Sequence, residues 1–425
     1  MNHHLHFTRS TLGVVFALAA SAGPAAAAGF FLPYQGAAAI GNALAGSAAL
    51  GEDASTVFWN PAGMSRLESA QVAVAGHYVS PQPQFTNNGS TLGLLPLSGN
   101  SGAGVESFIP NVFAVLPVGA WRFGVGVSAP WGSMTQYQDT WAGRYASIKS
   151  EIKSTDINPS VSYRVSPSFS AGVGVSYQMF EAEFTRAVPF GAPTPDGRAK
   201  FGGDSRAVGF NAGLLWEISP ATRLGLSYRS AIDHKLEGDQ TVTTPAGATV
   251  ASQSGPITAE LTTPALAQLS GVQALNDRWS LLGDVMWTQW SEIQRLDIVR
   301  STSLVSTTLP LALRDAWRLS AAVNYRLNDA WLLRAGVAWD QTPVRSPEQR
   351  VAALPDSDRT WLSVGARWQA SARHRLDFAY VHVFIADTTI NTTSVVSPVP
   401  LVTTTVRGSY NNSADILSAQ YTFSF

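Results

Sequence analysis

The chain ends on LSAQYTFSF, residues 417–425, in which apolar and polar side chains alternate strictly. One face of this stretch carries Leu417, Ala419, Tyr421, Phe423 and Phe425, and the other carries Ser418, Gln420, Thr422 and Ser424. A period of two with an apolar, aromatic face is typical of a strand that has lipid on one side and a polar lumen on the other. An edge strand of a soluble sandwich could show the same alternation, so this stretch alone leaves two folds open.

Three further segments decide between these folds, because each has an aromatic residue at both ends of its apolar face. They run from Trp279 to Trp287, from Trp317 to Tyr325 and from Trp331 to Trp339. Residues eight positions apart on a strand are separated by roughly 26 Å, and strand tilt shortens this toward the apolar band of an outer-membrane barrel. A soluble sandwich has no reason to place Trp at both ends of its strands. The pattern therefore predicts an all-β transmembrane barrel.

The N-terminus indicates export. Residues 1–27 carry Arg9, a short apolar run over Thr11–Ala22 and a small-residue cleavage region at Ala25–Ala28, which together predict a signal peptide. No other stretch approaches 18 consecutive apolar residues, so any membrane span must be made of strands. The histidines at positions 3, 4 and 6 precede the cleavage region, and we therefore expect no metal site there.

Composition narrows the function classes. The chain has no cysteine, which excludes disulfides, thiolate metal ligands and a cysteine nucleophile. Charged residues make up 13%, about half the share of a soluble domain. Without Arg9, the only charge of the leader, 27 basic and 29 acidic residues remain, a net charge of −2. Such a balance predicts no nucleic-acid partner.

Connection lengths give the strand count. Short turns are expected near residues 117–120, 165–168, 219–221, 276–277, 327–329 and 370–372, and seven long polar loops lie between them. Thirteen connections predict about fourteen antiparallel strands over residues 68–425. An even number of strands places both ends of the polypeptide chain on the periplasmic side. Residues 28–67 are rich in Ala and Gly and do not alternate. We expect this segment, called the hatch below, to lie inside a barrel that side chains alone would not fill; a loose periplasmic arm is the alternative.

Motifs spread over the mature chain resemble the family of outer-membrane transporters for long-chain fatty acids and aromatic hydrocarbons (FadL-type). The motifs are Ala28-Gly29-Phe30, Glu52-Asp53-Ala54-Ser55, Asn60-Pro61-Ala62, Ile109-Pro110-Asn111, Trp141-Ala142-Gly143-Arg144-Tyr145, Asn158-Pro159-Ser160, Arg314-Asp315-Ala316-Trp317-Arg318 and Pro355–Leu362. Each motif is weak alone, but their order and spacing are specific. The resemblance implies a hatch-plugged barrel that captures a hydrophobic compound among its extracellular loops, holds it at an internal apolar site and releases it sideways through a kinked third strand.

The resemblance also suggests functional residues. It implies a kink near Gly124, Gly126 and Pro130, although outer-membrane strands are commonly rich in Gly. It places Asn60, Pro61 and Ala62 at a hatch anchor or gate, and Phe30 and Phe31 beside the internal site, where plain hatch packing is the alternative. Arg314 has the strand parity of Arg318, which predicts a lumen-facing side chain. By the resemblance, Arg314 and then Arg186 bind a carboxylate; a salt bridge inside the barrel is the alternative role.

Other functions stay open at this stage. No nucleophile motif accompanies the remaining histidines, so we expect no enzyme, catalytic residue or cofactor. The expected partners are a hydrophobic small molecule and the lipid and lipopolysaccharide of a bacterial outer membrane, around a monomeric barrel. Fatty acids are the favoured substrate, and aromatic hydrocarbons are the alternative within the family. A general diffusion porin and an adhesin or structural barrel remain as alternatives from other classes.

Overall fold

A closed, antiparallel β-barrel of fourteen strands forms the body of the molecule, as the connection lengths predicted. The computed structural model describes residues 29–191, 193–301, 306–398 and 401–425. The predicted signal peptide, residues 1–27, lies outside the described residues. The last strand pairs with the first in register from Gln71↔Ser424 to Pro81↔Ala414, which closes the barrel. No helix in the described part of the chain is long and apolar enough to cross a membrane.

The strands are numbered β1 to β14 in chain order, and interrupted strands have two segments. Their bounds are β1 Gln71–Pro81 and Gln84–Asn87, β2 Ser101–Gly102 and Ser107–Val118, β3 Trp121–Ser128 and Gly132–Gln136, β4 Lys149–Ser166, β5 Phe169–Val188, β6 Gly197–Glu217, β7 Thr222–Arg229 and Ile232–Thr243, β8 Gly255–Thr263 and Leu266–Ala274, β9 Trp279–Thr288 and Arg295–Arg300, β10 Ser306–Pro310 and Ala316–Arg326, β11 Trp331–Asp340, β12 Arg359–Gln369, β13 His374–Pro398, and β14 Leu401–Ser424. A small hairpin, Thr91–Leu92 with Leu95–Pro96, and 3₁₀ turns at Ala251–Gln253 and Trp290–Glu292 lie between strands.

The apolar faces point away from the lumen, as their alternation predicted. Trp279, Trp317 and Trp331 are 42%, 48% and 38% exposed, whereas Ser418 and Gln420 on the polar face of the last strand are buried. Large apolar side chains exposed around a closed barrel give a lipid-facing band.

The strands continue beyond this band into segments that the sequence suggested were loops. The stretch 187–204 contains the start of β6 at Gly197, and the stretch 387–409 contains the end of β13 and the start of β14. The extensions of β13 and β14 are rich in Thr and Val, which favour strands, and they pair with each other beyond the band. The extensions form the wall around the outer part of the lumen.

The hatch fills the periplasmic part of the lumen with short helical turns. It contains α1 Ala37–Gly41, α2 Ser47–Leu50, α3 Thr56–Trp59 and a 3₁₀ helix, Pro61–Arg66. From Gly29 to Leu67 every residue is buried except Glu52 and Arg66, which are half-buried. Complete burial removes the need for an amphipathic pattern, which explains why this segment shows no clear periodicity.

Candidate functional site: an apolar cavity above the hatch

An apolar cavity of about 850 Å³ occupies the lumen above the hatch. Its walls come from β3 to β10 and from the segment that follows β11, and Phe30 of the hatch lies at its lower end. The lining side chains are almost entirely hydrocarbon, among them Phe184, Phe201, Leu236, Leu261, Leu296 and Leu313. Ser133 and Ser150 are the only hydroxyl-bearing residues among them. Such a surface suits the hydrocarbon part of a ligand.

A second cavity of about 700 Å³ continues the first toward the extracellular side and shares Phe184, Phe201 and Leu296 with it. Arg186, near the outer end of β5, lines this second cavity and is the only charged residue among the described residues that line either cavity. Its terminal nitrogens lie 3.4 Å from the Val396 carbonyl, and its Nε has no hydrogen-bond partner within the described residues. The guanidinium carbon is 5.9 Å from the centroid of the Phe201 ring. This arrangement leaves the cation available to an anion at the end of an apolar space.

An aromatic cluster that includes two hatch residues lies at the lower end of the first cavity. The ring of Phe30 lies 5.6 Å from that of Trp131 and 4.9 Å from that of Trp290, and the two tryptophans are 5.8 Å apart. Phe31 packs 5.3 Å from Trp131 on the hatch side. The cluster therefore combines the hatch, the third strand and the turn that follows the first segment of β9.

The wall between β2 and β3 is interrupted beside this cluster. Their ladder runs from Val118↔Trp121 to Val112↔Val127. Above it, the Gly132–Gln136 segment forms a ladder with β4, and toward β2 Gln136 N–H donates to the Ala103 carbonyl at 3.1 Å, beyond the gap. Residues Phe30 to Leu32 cover the gap from inside. Leu32 N–H donates to the Pro130 carbonyl at 2.8 Å, and Gly132 N–H donates to the Phe30 carbonyl at 2.8 Å. The gap is therefore closed by hatch residues rather than by barrel strands.

The three residues named for the kink have different positions. Pro130 lies in the interruption between the two segments of β3. Gly124 and Gly126 lie below it, in a ladder that is regular on both sides. A Cβ atom on Gly124 would be 2.4 Å from Sδ of Met64 and 2.7 Å from Cγ2 of Val57. Gly124 therefore makes room for the hatch, whereas a Cβ atom on Gly126 would lie 2.8 Å from the ring of Phe113 on β2. The interruption of β3 falls at Ala129–Trp131.

Arg314 does not share the parity of Arg318. Residues 311–315 separate the two segments of β10, and Ala312 has a positive φ of 46°. Because this irregular backbone breaks the alternation, Leu311 and Leu313 line the first cavity. The half-buried Arg314 directs its Nε to the Thr342 carbonyl at 3.3 Å. The expectation of a lumen-facing Arg314 assumed a continuous strand, and the structure does not contain one there.

The Asn60-Pro61-Ala62 motif joins the hatch to the barrel wall. Nδ2 of Asn60 donates to the carbonyls of Ala48 at 2.7 Å and Leu214 at 3.0 Å, and its Oδ1 accepts from Ala62 N–H at 2.9 Å. The motif packs against two cross-strand glycines, Gly172 and Gly213. A Cβ atom on Gly213 would lie 1.9 Å from Oδ1 of Asn60, so only glycine allows this contact.

A network of charges holds the other side of the hatch. Glu52 pairs with Arg334 at 3.1 Å and also with Arg367, and Asp53 pairs with Arg375 at 2.6 Å. Asp377 lies between the three arginines at 2.8 to 3.2 Å. Burial disfavours ionisation of Glu52, but the positive charges of Arg367, Arg334 and Arg375 outweigh it and hold its pKa at about 2. Directional bonds therefore fix the hatch to β11, β12 and β13.

Two residues of the aromatic cluster were not identified from the sequence. Trp131 directly follows Pro130, but a single Trp after a strand carries no specific signal. Trp290 interrupts the alternation of β9, and this break in period was the available clue. Leu236, Leu296 and Leu309 of the cavity were also missed, since they lie in segments that were interpreted as loops.

The fold and the apolar lumen define a hatch-plugged outer-membrane channel for hydrophobic compounds. Residues 18–425 match the model of the outer membrane protein transport protein family (OMPP1/FadL/TodX), and the chain belongs to this family. It is therefore an outer-membrane transporter of hydrophobic compounds, and the resemblance seen in the motifs is confirmed.

Relatives cover nearly the whole chain. The chain is 28% identical to outer membrane protein P1 of Haemophilus influenzae, over 89% of this chain and 90% of the relative. It is 26% identical to a long-chain fatty acid transport protein of Escherichia coli, over 90% and 92%. A solved FadL homologue from Pseudomonas aeruginosa aligns with a TM-score of 0.84 at 25% identity, covering 94% of this chain and all of that one. The toluene transporter TbuX of Ralstonia pickettii has the same fold, with a TM-score of 0.71 at 19% identity, over 92% and 99%.

Proposed function

We propose that this protein takes up long-chain fatty acids. The observation that carries the proposal is the pair of continuous cavities with one charged residue, Arg186, at the outer end. A fatty acid has the same distribution, with one anionic group and a long hydrocarbon chain. Burial of each methylene contributes about 0.8 kcal/mol of favourable transfer free energy, so the hydrocarbon tail binds in the first cavity.

The proposed route begins among the extracellular loops. A groove of about 1300 Å³ lies there; Leu97, Ile148 and Ala187 give it an apolar part, and the ion pair of Arg144 with Asp196, 2.8 Å long, lies at its rim. Ala187 directly follows Arg186 near the outer end of β5, and consecutive side chains of a strand point to opposite faces, so the groove and the second cavity lie on the two sides of this strand end. In the proposed route a captured acid passes over the strand end to Arg186.

The proposed exit is the interruption between β2 and β3. Because Phe30 to Leu32 cover this gap by two backbone hydrogen bonds and the aromatic cluster, a small displacement of the segment joins the cavity to lipid. A hydrophobic solute would then leave sideways without crossing water. In this proposal Phe30 and Phe31 act as the gate, and the Asn60-Pro61-Ala62 motif keeps the rest of the hatch in place.

Replacement of Arg186 tests the proposal. A charge-assisted contact to a carboxylate contributes roughly 1.5–3 kcal/mol, so Arg186→Ala should weaken binding of hexadecanoic acid by about one to two orders of magnitude. Hexadecane should bind nearly as before. Arg206→Ala is the matched control, since Arg206 is exposed on the outside of β6. Equal losses for acid and hydrocarbon would assign Arg186 a structural role and would count against fatty acids.

Aromatic hydrocarbons are the second candidate, favoured by the cluster of Phe30, Phe31, Trp131 and Trp290, which offers ring contacts to a flat ligand. Toluene has no charge, so its uptake should not depend on Arg186. If toluene enters faster than hexadecanoic acid and Arg186→Ala affects neither, this candidate replaces the first. A diffusion porin would instead conduct ions steadily, and a hatch that fills the lumen argues against it.

A further inference from the structure

Two stretches at the extracellular end of the barrel contain no charged residue. They are residues 82–105, between the longer segments of β1 and β2, and residues 388–406, where β13 ends and β14 begins. The outward faces of β5, β6 and β7 differ, because at the same end they carry many charged side chains, among them Glu181, Glu183, Lys200, Asp204, Lys235 and Glu237. The extracellular end of the molecule therefore has a charged side and an uncharged side.

The uncharged side exposes apolar side chains at its rim. Four of its described residues are large, apolar and more than half exposed: Leu94 (99%), Leu401 (71%), Leu95 (61%) and Val395 (52%). The small hairpin that carries Leu94 and Leu95 pairs with β14 at Leu92↔Thr404, and Val395 pairs with Thr403 across the β13–β14 hairpin. The four residues are therefore neighbours along one rim, and they are called the apex patch below.

The apex patch lies far from the lipid-facing band of the protein. On β14, Leu417 faces lipid and Leu401 lies sixteen positions away on the same face. Every outward position between them is polar, from Asp415 to Thr403. Sixteen positions of a strand cover roughly 53 Å, or about 37 Å in height at a tilt of 45°. The surrounding bilayer explains the exposure of Leu417 but cannot explain the exposure of the apex patch.

The apex patch continues into the groove where the proposed route begins. Behind the exposed leucines, Leu92 and Leu97 pack against a buried apolar cluster that includes Ile148 and Val396. Leu97 and Ile148 line the groove. The Val396 carbonyl lies 3.4 Å from the terminal nitrogens of Arg186. Apolar contacts therefore connect the exposed rim to the groove and to the outer end of the second cavity.

We propose that the apex patch docks on the surface of lipid aggregates, such as micelles and vesicles, and that substrate passes from the aggregate directly into the groove. Long hydrocarbon chains leave water for such aggregates, so little of a long-chain amphiphile is present as free monomer. Leucine side chains that enter the aggregate also leave water, and the uncharged stretches around them contain no charge to desolvate. The inference rests on the proposed function for the cargo, whereas docking itself does not require Arg186.

The small size of the apex patch favours a lipid surface over a protein partner. A specific protein interface buries about 800 Å² on each partner and requires a complementary shape. A lipid surface is fluid and needs no complementary shape, so a few protruding apolar side chains suffice. The tip of a two-stranded hairpin, where Leu94 lies, suits insertion of this kind.

Co-sedimentation with phosphatidylcholine vesicles tests the docking, with the protein held in small lipid nanodiscs and empty nanodiscs as the blank. The double replacement Leu94→Ser and Leu95→Ser should weaken vesicle binding by about tenfold or more, because two leucine side chains no longer enter the lipid. The matched control replaces Leu275 and Leu327, two exposed leucines at periplasmic turns, with Ser. This control should bind vesicles as the unchanged protein does.

A fluorescent label shows whether the apex patch enters the lipid. The chain has no cysteine, so Leu94→Cys provides a single site for an environment-sensitive dye. Its emission should shift to the blue when vesicles are added, while the same dye at Glu237→Cys, on the charged side, should not shift. Vesicle binding that survives the double replacement, or an unshifted label at position 94, would overturn the inference. A dimer of the unchanged protein that the double replacement abolishes would also overturn it, since the apex patch would then cover a second copy of this chain.

Two ways of supplying hexadecanoic acid separate this inference from the proposed function. The double leucine variant should take up acid from vesicles more slowly by the same factor as its docking is weakened, and it should bind monomeric acid as before. Arg186→Ala should weaken acid binding from either source and leave docking intact. Docking without uptake of acid from either source would overturn the proposed function alone. Uptake from vesicles that does not depend on the two leucines would overturn the inference and leave the proposed function standing.

Discussion

The outer and periplasmic parts of the lumen differ in what they contact. Above Phe30 the walls are Leu, Ile, Val and Phe side chains around empty space, with Arg186 at the outer end. Below Phe30 the hatch fills the space, and arginines, carboxylates and the Asn60 amide bind it at defined distances. Apolar surface is not directional, so the outer part can receive chains of many shapes. Directional bonds fix one arrangement, so the periplasmic part can act as a plug.

The comparison predicts that the plug, not the barrel wall, prevents leakage. Deleting residues 30–64 should leave a folded barrel, because all fourteen strands lie outside this segment. The deletion should convert a closed protein into one that conducts ions in planar bilayers, with the intact chain as control. A truncated barrel as closed as the intact one would show that the extracellular loops seal the pore.

Acid should weaken the plug through Glu52. The folded pKa of Glu52, about 2, is below its ordinary value of 4.5, so its pairing stabilises the hatch above pH 4.5 and is lost as the pH falls toward 2. One pKa unit corresponds to about 1.4 kcal/mol, or a factor of ten. We therefore expect openings to become at least about tenfold more frequent across this window. Glu52→Gln should show frequent openings already at neutral pH and a flatter response to acid.

A matched measurement with Glu237→Gln controls for the change of charge, because Glu237 is exposed in the outer segment of β7 and, among the described residues, forms an ion pair with Lys235 alone. It should behave as the unchanged protein at every pH. An acid response of the same size in Glu52→Gln would show that other carboxylates release the hatch.

The next largest effect is expected from a change in the packing between the hatch and the barrel wall. Valine at position 124 would overlap Met64 and Val57 and should destabilise the hatch against β3 by about 1–3 kcal/mol. Hydrogen exchange of the amides in residues 61–67 should rise accordingly, while barrel amides remain protected. Gly283→Val is the control, since no heavy atom of the described residues, apart from its chain neighbours, lies within 4 Å of a Cβ atom placed there. Equal protection in both variants would mean that Gly124 serves only the strand.

The parts that the sequence predicted well depend on strict periodicity. The outward faces of β9, β10, β11 and β14 follow from alternation, because lipid on one side and lumen on the other impose a period of two. Alternation fails wherever a strand is interrupted. Residues 311–315 and the turn at Trp290–Glu292 are such places, and there Leu313 and Trp290 turn toward the lumen while Arg314 does not. Leu311, Leu313 and the two tryptophans of the aromatic cluster come from such interruptions, and this part of the site could not be read from the period. The rest of the cavity wall comes from strands, several of which extend into stretches that the sequence suggested were loops.

The smallest effect is expected at Arg314, the arginine that the sequence favoured. Its Nε donates to the Thr342 carbonyl, its backbone N–H donates to the Pro343 carbonyl at 3.0 Å, and Leu313 beside it lines the cavity instead. Arg314→Ala should therefore change hexadecanoic acid binding by less than about threefold, because loss of an exposed or half-exposed contact costs about 0–1 kcal/mol. Arg186→Ala, measured in the same titration, should exceed it by about an order of magnitude. If Arg314→Ala weakens binding more than Arg186→Ala, the irregular segment 311–315 must rearrange when the ligand binds. Arg314 would then face the lumen in the ligand-bound protein, as its strand parity predicted.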